Sequence, residues 1–262
     1  MNMVAHSAIT NGKQMITIKK LKNYYNWGGR FLTDEYHIES NKLDVLEINK
    51  TPLRSEVINF LLSSLNRPTT YLEIGVRNPA VNFDKIKSEI KYSVDPGIEF
   101  LDNPVDFKVT SDVFFDNLRK GEGLDANTLF DVIFIDGLHL ADQVDRDIYN
   151  SLEFIKEDGF IVLHDCNPPT EWHARETHKY EISPAMQNWN GTTWKGFMKW
   201  RTNSKVYSCT IDTDWGVGVI SKSKNIGEST SVQNPFFEFH VFKTHKKECL
   251  NLISFEDFKK LF

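Results

Sequence analysis

Cysteine is scarce in this chain: Cys166, Cys209 and Cys249 are the only three in 262 residues. An odd count at wide spacing supports neither a disulfide framework nor a four-cysteine zinc site, and it reads as reduced thiols in a cytosol. The sequon Asn190-Gly191-Thr192 then meets no glycosylation machinery. Net positive charge is lacking too. With 31 Lys and Arg against 36 Asp and Glu the balance is −5, so no global positive field gathers nucleic acid by counterion release. No apolar run approaches the roughly 18 residues of a membrane span, and the polar stretch from Met1 to Lys13 lacks the apolar segment of a signal peptide. Internal repeats and low-complexity tracts are absent. So is the motif Gly-x-Gly-x-x-Gly, because Gly75 is followed by Val76, Arg77, Asn78 and Pro79. A pyrophosphate uses the second glycine of that motif for close approach. NAD and FAD are therefore disfavoured, whereas a nucleoside without phosphates tolerates Arg77 and Pro79.

What is present is enough apolar material for a core: 40% hydrophobic residues, 13% aromatic and 19 Phe. The first 50 residues lack strong periodicity and read as an N-terminal extension. Thr51-Pro52 reads as a helix start, with Thr as cap and Pro at the first helical position. Val57, Phe60, Leu61 and Leu65 follow at helical spacing until Asn66-Arg67-Pro68. Short apolar runs then alternate with helical stripes. The spacing predicts strands at 71–76, 91–95, 106–110, 131–136 and 160–163, with a helix carrying Val144, Ile148, Leu152 and Ile155 ended by Glu157-Asp158-Gly159. Such near-continuous apolar strands indicate a parallel sheet covered on both faces. A helix over 193–200 and two strands, 206–211 and 215–221, form an antiparallel ending. Residues 222–262 are a tail whose Phe236, Phe237, Phe239 and Phe242 must bury against the domain, a partner chain or a ligand.

The polar residues gather where the strands end. Glu73, Asp95, Asp136 and the pair His164-Asp165 lie at or just past the ends of successive strands, the place where open α/β sheets bind ligands. Gly75 permits a tight turn and close ligand approach. Asp95 follows Glu73 by 22 positions, about the distance at which an acid takes the ribose hydroxyls in nucleotide-binding sheets. The bland alternative is a turn glycine with two helix-capping acids.

Four segments carry a family resemblance: Tyr71 to Gly75, Tyr92 to Gly97, Phe130 to His139 and Gly159 to Asp165. Together they resemble class I S-adenosylmethionine-dependent methyltransferases, in the subgroup with Ile-Asp-Gly-x-His after the fourth strand and His-Asp after the fifth. Its bacterial members resemble sugar and surface-glycan O-methyltransferases. Trp189 to Lys195 and Asp214 to Gly218 look like the same subgroup, and the resemblance covers residues 55 to 221. It implies a doubly wound, Rossmann-like, mostly parallel seven-stranded sheet with an antiparallel last strand. It divides the chain into an extension (1–50), the methyltransferase domain (51–221) and the aromatic tail (222–262). It implies that Glu73 and Gly75 line the methionine part of S-adenosylmethionine, that Asp95 holds the ribose, that Ser111 and Asp112 flank the adenine, and that Asp136 lies near the sulfonium or the amino group.

Methyl transfer to a hydroxyl needs a base, and histidine, with an ordinary pKa near ~6.5, suits the task. His139 is the first choice and His164 the second, with Asp136 and Asp165 beside them. An oxygen-rich set of Asp136, His139 and Asp165 also permits a divalent ion, although a metal-free site is preferred. Glu171, Trp172, His173 and Arg175 suit sugar recognition or, equally, a solvated loop. Asp212-Thr213-Asp214 reads as turn acids. The expected partners are a sugar, nucleotide-sugar or glycan acceptor and a second copy of the chain through the Phe-rich tail, with no nucleic acid and no membrane span. The competing reading is a non-catalytic module that binds S-adenosylmethionine or a partner chain.

Overall fold

The computed structural model describes residues 17–100 and 102–262; the Met1–Lys13 stretch lies outside them. The N-terminal 50 residues, read as an extension without strong periodicity, include two helices, α1 (Ile18–Phe31) and α2 (Glu35–Ile48). Thr17 and Asp34 cap them, each side chain accepting a backbone N–H of the first turn.

Helix α3 (Arg54–Ser64) starts later than the sequence suggests. Thr51-Pro52 is a cis peptide outside the helix, so neither residue takes the capping position. Asp214, far along the chain, accepts the Arg54 N–H at 2.7 Å, and Glu56 accepts the Leu53 N–H at 2.9 Å. A tertiary cap replaces the local one.

The sheet follows from β1 (Thr70–Ile74), β2 (Ile90–Val94), helix α4 (Ser111–Lys120), β3 (Phe130–Ile135), helix α5 (Ala141–Phe154), β4 (Ile155–Leu163), helix α6 (Thr193–Arg201), β5 (Tyr207–Ile211) and β6 (Val217–Ser221). Helices α7 (Phe239–Thr244) and α8 (Lys246–Leu250), strand β7 (Leu252–Ile253) and helix α9 (Phe255–Lys259) complete the chain. The strand order is β2-β1-β3-β4-β6-β5-β7. Strand β6 runs antiparallel to both of its neighbours, and every other pairing is parallel. This is the α/β, Rossmann-like, mostly parallel seven-stranded sheet that the family resemblance implied, with three differences.

The stretch 106–110 is no strand: a single bridge from Phe107 to Val94 is all that forms. Asp106 turns its carboxylate onto the Ser93 N–H and hydroxyl, which bends the chain away from a ladder. The seventh strand comes instead from the tail, where Leu252 and Ile253 pair in parallel with Thr210 and Ile211. Helix α5 ends at Phe154, so Glu157-Asp158-Gly159 lies inside β4.

All six residues of β3 are buried, and alternate side chains feed two cores. Ile133 and Ile135 join Phe115, Ile148, Trp194 and Phe197 on one face. Val132 and Phe134 join Val57, Leu61, Phe160 and Phe258 on the other. The tail aromatics bury against the domain: Phe242 lies 4.4 Å from Trp194 between ring centroids, and Phe237 and Phe239 meet the same indole edge-on. Phe236 remains exposed.

Candidate active site

At their carboxyl ends β1, β3 and β4 leave the sheet side by side. The Asp136 N–H bonds the Ile74 carbonyl and the His164 N–H bonds the Ile135 carbonyl. Gly75 sits at φ +90°, where a side chain would strike the backbone of Asp136. Only glycine lets the first loop lie flat against the third. Cys166 and Asn167 donate to the carbonyls of Gly216 and Trp215, which draws the β5–β6 turn into the same place.

These junctions assemble one ionic cluster. His164 Nδ1 lies 3.1 Å from Asp165 Oδ2 and 3.3 Å from Asp136 Oδ1, and its Nε2 lies 3.3 Å from Asp214 Oδ1. His139 bridges the same acids, with Nε2 3.4 Å from Asp136 Oδ1 and Nδ1 3.2 Å from Asp165 Oδ2. Arg54 enters from α3, donating to both Asp214 oxygens at 3.1 and 3.2 Å and standing 3.6 Å from Asp136. Asn190 donates to Asp165 Oδ1 at 2.7 Å. The Trp189 ring stacks on His139 at 5.1 Å.

Three acids, one arginine and two imidazoles balance only when both imidazoles carry protons. Burial disfavours charge on His164 and His139, but Asp165 and Asp136 outweigh it and hold both above the ordinary histidine value, His164 by far the more. Burial likewise opposes the Asp136 and Asp214 carboxylates. The imidazoles and Arg54 overcome it and keep both well below the usual carboxylate range. Cys166 is fully buried and its thiol is pushed well up by that burial, so it is no nucleophile.

The other expected site residues are placed as follows. Glu73 is buried under the first loop. Its Oε2 accepts the Tyr71 hydroxyl at 2.6 Å and the Asn82 amide at 2.8 Å, and burial raises its pKa to about 7. Asp95 directly follows β2 and uses Oδ1 to accept the Gly97 N–H at 2.6 Å, while Oδ2 has no partner among the described residues. Ser111 and Asp112, at the start of α4, are engaged by Gln143 of α5, and Asp112 also by Arg146. They lie outside the ionic cluster.

Arg54, Asp214, Asn190 and Trp189 are cluster members that sequence reasoning did not nominate. Asp214 lay inside a motif read as turn acids, and Trp189 and Asn190 lay inside a segment already singled out. Arg54 carried no local signal at all. Conversely, His173 and Arg175 do not face a ligand. His173 is fully buried between Thr170 and Asp44 of α2. Arg175 donates to the carbonyls of Trp172, Thr177, His178, Met186 and Asn188, organising its own loop.

The carboxylate and imidazole atoms of Asp136, His139 and Asp165 lie within 4.8 Å of one another. Two oxygens and one nitrogen suit a hard divalent ion, and the buried Asn190 Oδ1 beside them has no hydrogen-bond partner among the described residues. A cation there would have to displace the His139 proton. The residues expected to meet a nucleoside lie on adjoining strand ends: Gly75, packed against the Asp136 backbone, and Asp95, whose Oδ2 has no partner among the described residues.

Residues 81–166 match a family model described as a methyltransferase domain. That segment is therefore similar to a methyltransferase domain over about a third of the chain. The match runs from the first loop through β2 and β3 to Cys166, and so includes Asp95, Asp136, His139, His164 and Asp165. No curated protein matches the chain. Among solved structures, the chain resembles an O-methyltransferase from Bacillus cereus in complex with S-adenosylhomocysteine (14% identity over 72% of this chain and 91% of that one, TM-score 0.40). It also resembles the O-methyltransferase TomG from Streptomyces achromogenes in complex with S-adenosylmethionine (13%, 72% and 90%, TM-score 0.40). A third is the Podospora anserina methyltransferase PaMTH1 bound to S-adenosylhomocysteine (13%, 84% and 100%, TM-score 0.41). Among the described residues no helix is long and apolar enough to cross a membrane.

Proposed function

We propose that this chain is an S-adenosylmethionine-dependent O-methyltransferase that acts on a hydroxyl of a sugar or glycan. The observation that carries the reading is the meeting of Asp136, His139, His164 and Asp165 at adjoining strand ends, inside the matched methyltransferase segment. Gly75 and Glu73 would flank the methionine part of the cofactor and Asp95 the ribose. Ser111 and Asp112 are left for the adenine side, since the structure ties them to α5 rather than to the acids. When bound, the cofactor supplies a methyl group already activated by a positive sulfur.

The protein then positions the acceptor and takes its proton. His139 is the base in this reading. It is stacked on Trp189 and held between two carboxylates, which stabilise the imidazolium once it has accepted the hydroxyl proton. Because those carboxylates keep a proton on the free enzyme, the site becomes competent only as that proton leaves. Trp172 and Trp189, on the loop following β4, offer the flat apolar faces on which pyranose rings stack. A cytosolic enzyme is consistent with three free, buried cysteines.

A second reading of the same site is favoured by one observation, the spacing of Asp136, His139 and Asp165. If a divalent cation occupies them, His139 would be a ligand, and His164 could serve as base only after losing the proton that Asp165 and Asp136 hold on it. Labelled methyl transfer from S-adenosylmethionine into a pool of sugars and nucleotide-sugars tests the activity. Transfer unaffected by chelator supports His139 as base, and loss restored by Mg²⁺ supports the cation. Cofactor binding without transfer to any acceptor would favour a non-catalytic module.

A further inference from the structure

Helix α2 is built with its sides reversed. It buries Ser40, Asp44 and Glu47 against the domain and turns Tyr36, Ile38, Val45, Leu46 and Ile48 to water. Ile38, Val45 and Ile48 form one outward stripe at i, i+7 and i+10. Helix α1 buries none of its residues among the described chain. Ile18, Leu21 and Tyr25 recur at i, i+3 and i+7, with Tyr24 beside them; Lys22, four positions after Ile18, and Lys20, four before Tyr24, border this stripe, and Lys19 and Arg30 lie on the other side. Ile18 is 86% exposed and Tyr25 83%. Exposed apolar stripes such as these mark an interaction site.

We propose that the partner covering this surface is a second copy of the same chain, packed through α1 and α2. The two helices are equally long, 14 residues each, and each presents an unpaired apolar stripe. Their charges are complementary. Helix α1 carries Lys19, Lys20, Lys22 and Arg30 and no acid, whereas α2 exposes Glu35 and Glu39 against the single Lys42. A two-fold axis sets each cationic helix beside its partner's acidic one, as a self-complementary interface requires. The Phe-rich tail, the alternative interface, is spent on Trp194 within its own domain. The exposed acids of α2 disfavour an anionic lipid surface.

This interface backs onto the active-site loop. On the inward side of α2, Asp44 pairs with His173. The His173 carbonyl accepts the N–H groups of Asn190 and Gly191, and Asn190 holds Asp165. Dimerisation therefore braces the loop that carries Trp189 and Asn190, without adding a group to the site.

Sedimentation equilibrium of the full chain at micromolar concentration tests the proposal. The unaltered chain is expected to be a dimer. Ile38→Glu with Val45→Glu, or Tyr25→Glu alone, is expected to raise the dissociation constant at least ~30-fold while leaving the circular dichroism spectrum unchanged, the effect of losing one interface hot spot. Hydrogen exchange on the unaltered chain needs no variant to fold: protection of α1 and α2 amides is expected to rise with protein concentration. A wild-type monomer, a dimer that survives these substitutions, or concentration-independent exchange would each overturn the proposal. So would a monomer that pellets with vesicles of phosphatidylcholine and phosphatidylglycerol, which would assign the surface to lipid.

Discussion

Replacing Glu73 by Gln gives a prediction whose size follows from the structure. Burial lifts this carboxyl from 4.5 to about 7, against the opposing pull of the Tyr71 and Asn82 hydrogen bonds. A carboxyl whose folded pKa lies above its unfolded one costs nothing below pH 4.5. The penalty grows as pH rises toward 7 and is complete above it. At about 1.4 kcal/mol per pKa unit the full penalty is ~3 kcal/mol. Glutamine removes it at every pH, and its carbonyl oxygen can still accept from Tyr71 and Asn82. Its amide N–H₂ then needs a partner in a buried site, a cost of about 1 kcal/mol. Urea unfolding of both proteins should therefore show Glu73→Gln more stable than wild type by ~2 kcal/mol at pH 8, and equal or slightly less stable at pH 5. A stability difference that is the same at both pH values would refute the assignment of a buried, destabilising charge to Glu73.

Asp95→Ala should weaken calorimetric binding of S-adenosylhomocysteine by at least ~10-fold, since a charge-assisted hydrogen bond contributes roughly 1.5–3 kcal/mol; unchanged affinity removes the ribose assignment. His139→Ala should lower turnover by about 10²- to 10⁴-fold with cofactor affinity near normal, and full activity would exclude His139 as base. In wild type kcat/KM should rise with pH along a limb centred above the ordinary histidine value near ~6.5, because Asp165 and Asp136 overcome burial to retain the His139 proton. A rate that falls over that range would contradict the base role. Gly75→Ala should destabilise by more than the ~1 kcal/mol of a helix glycine, because φ is +90° and the added methyl meets the Asp136 backbone; thermal unfolding checks it.

The central sheet was legible because its strands are buried on both faces. The run Asp131 to Asp136 is apolar throughout its interior, and its flanking turn residues set its ends. The strand-end acids were legible for the same reason, as polar breaks where burial stops. What failed depends on distant partners. Asp106 turns to Ser93, so 106–110 extends without pairing. Leu252-Ile253 is too short to show a period and is strand only because β5 offers an edge. Arg54 and Asp214 are 160 positions apart, and nothing local distinguishes either from a helix-start arginine or a turn acid. Helix α2 was hidden because its inward residues are polar, which inverts the pattern on which periodicity depends. Helix α1 does carry a helical stripe, but Gly28-Gly29 argue against a helix on propensity.

The most direct test is a crystal structure of the chain with S-adenosylhomocysteine. The ribose hydroxyls are expected on Asp95, with the sulfur facing the space between Gly75 and His139. A ligand bound away from these strand ends, or bound with its sulfur turned from the imidazole, would contradict the assignment of this cluster to methyl transfer.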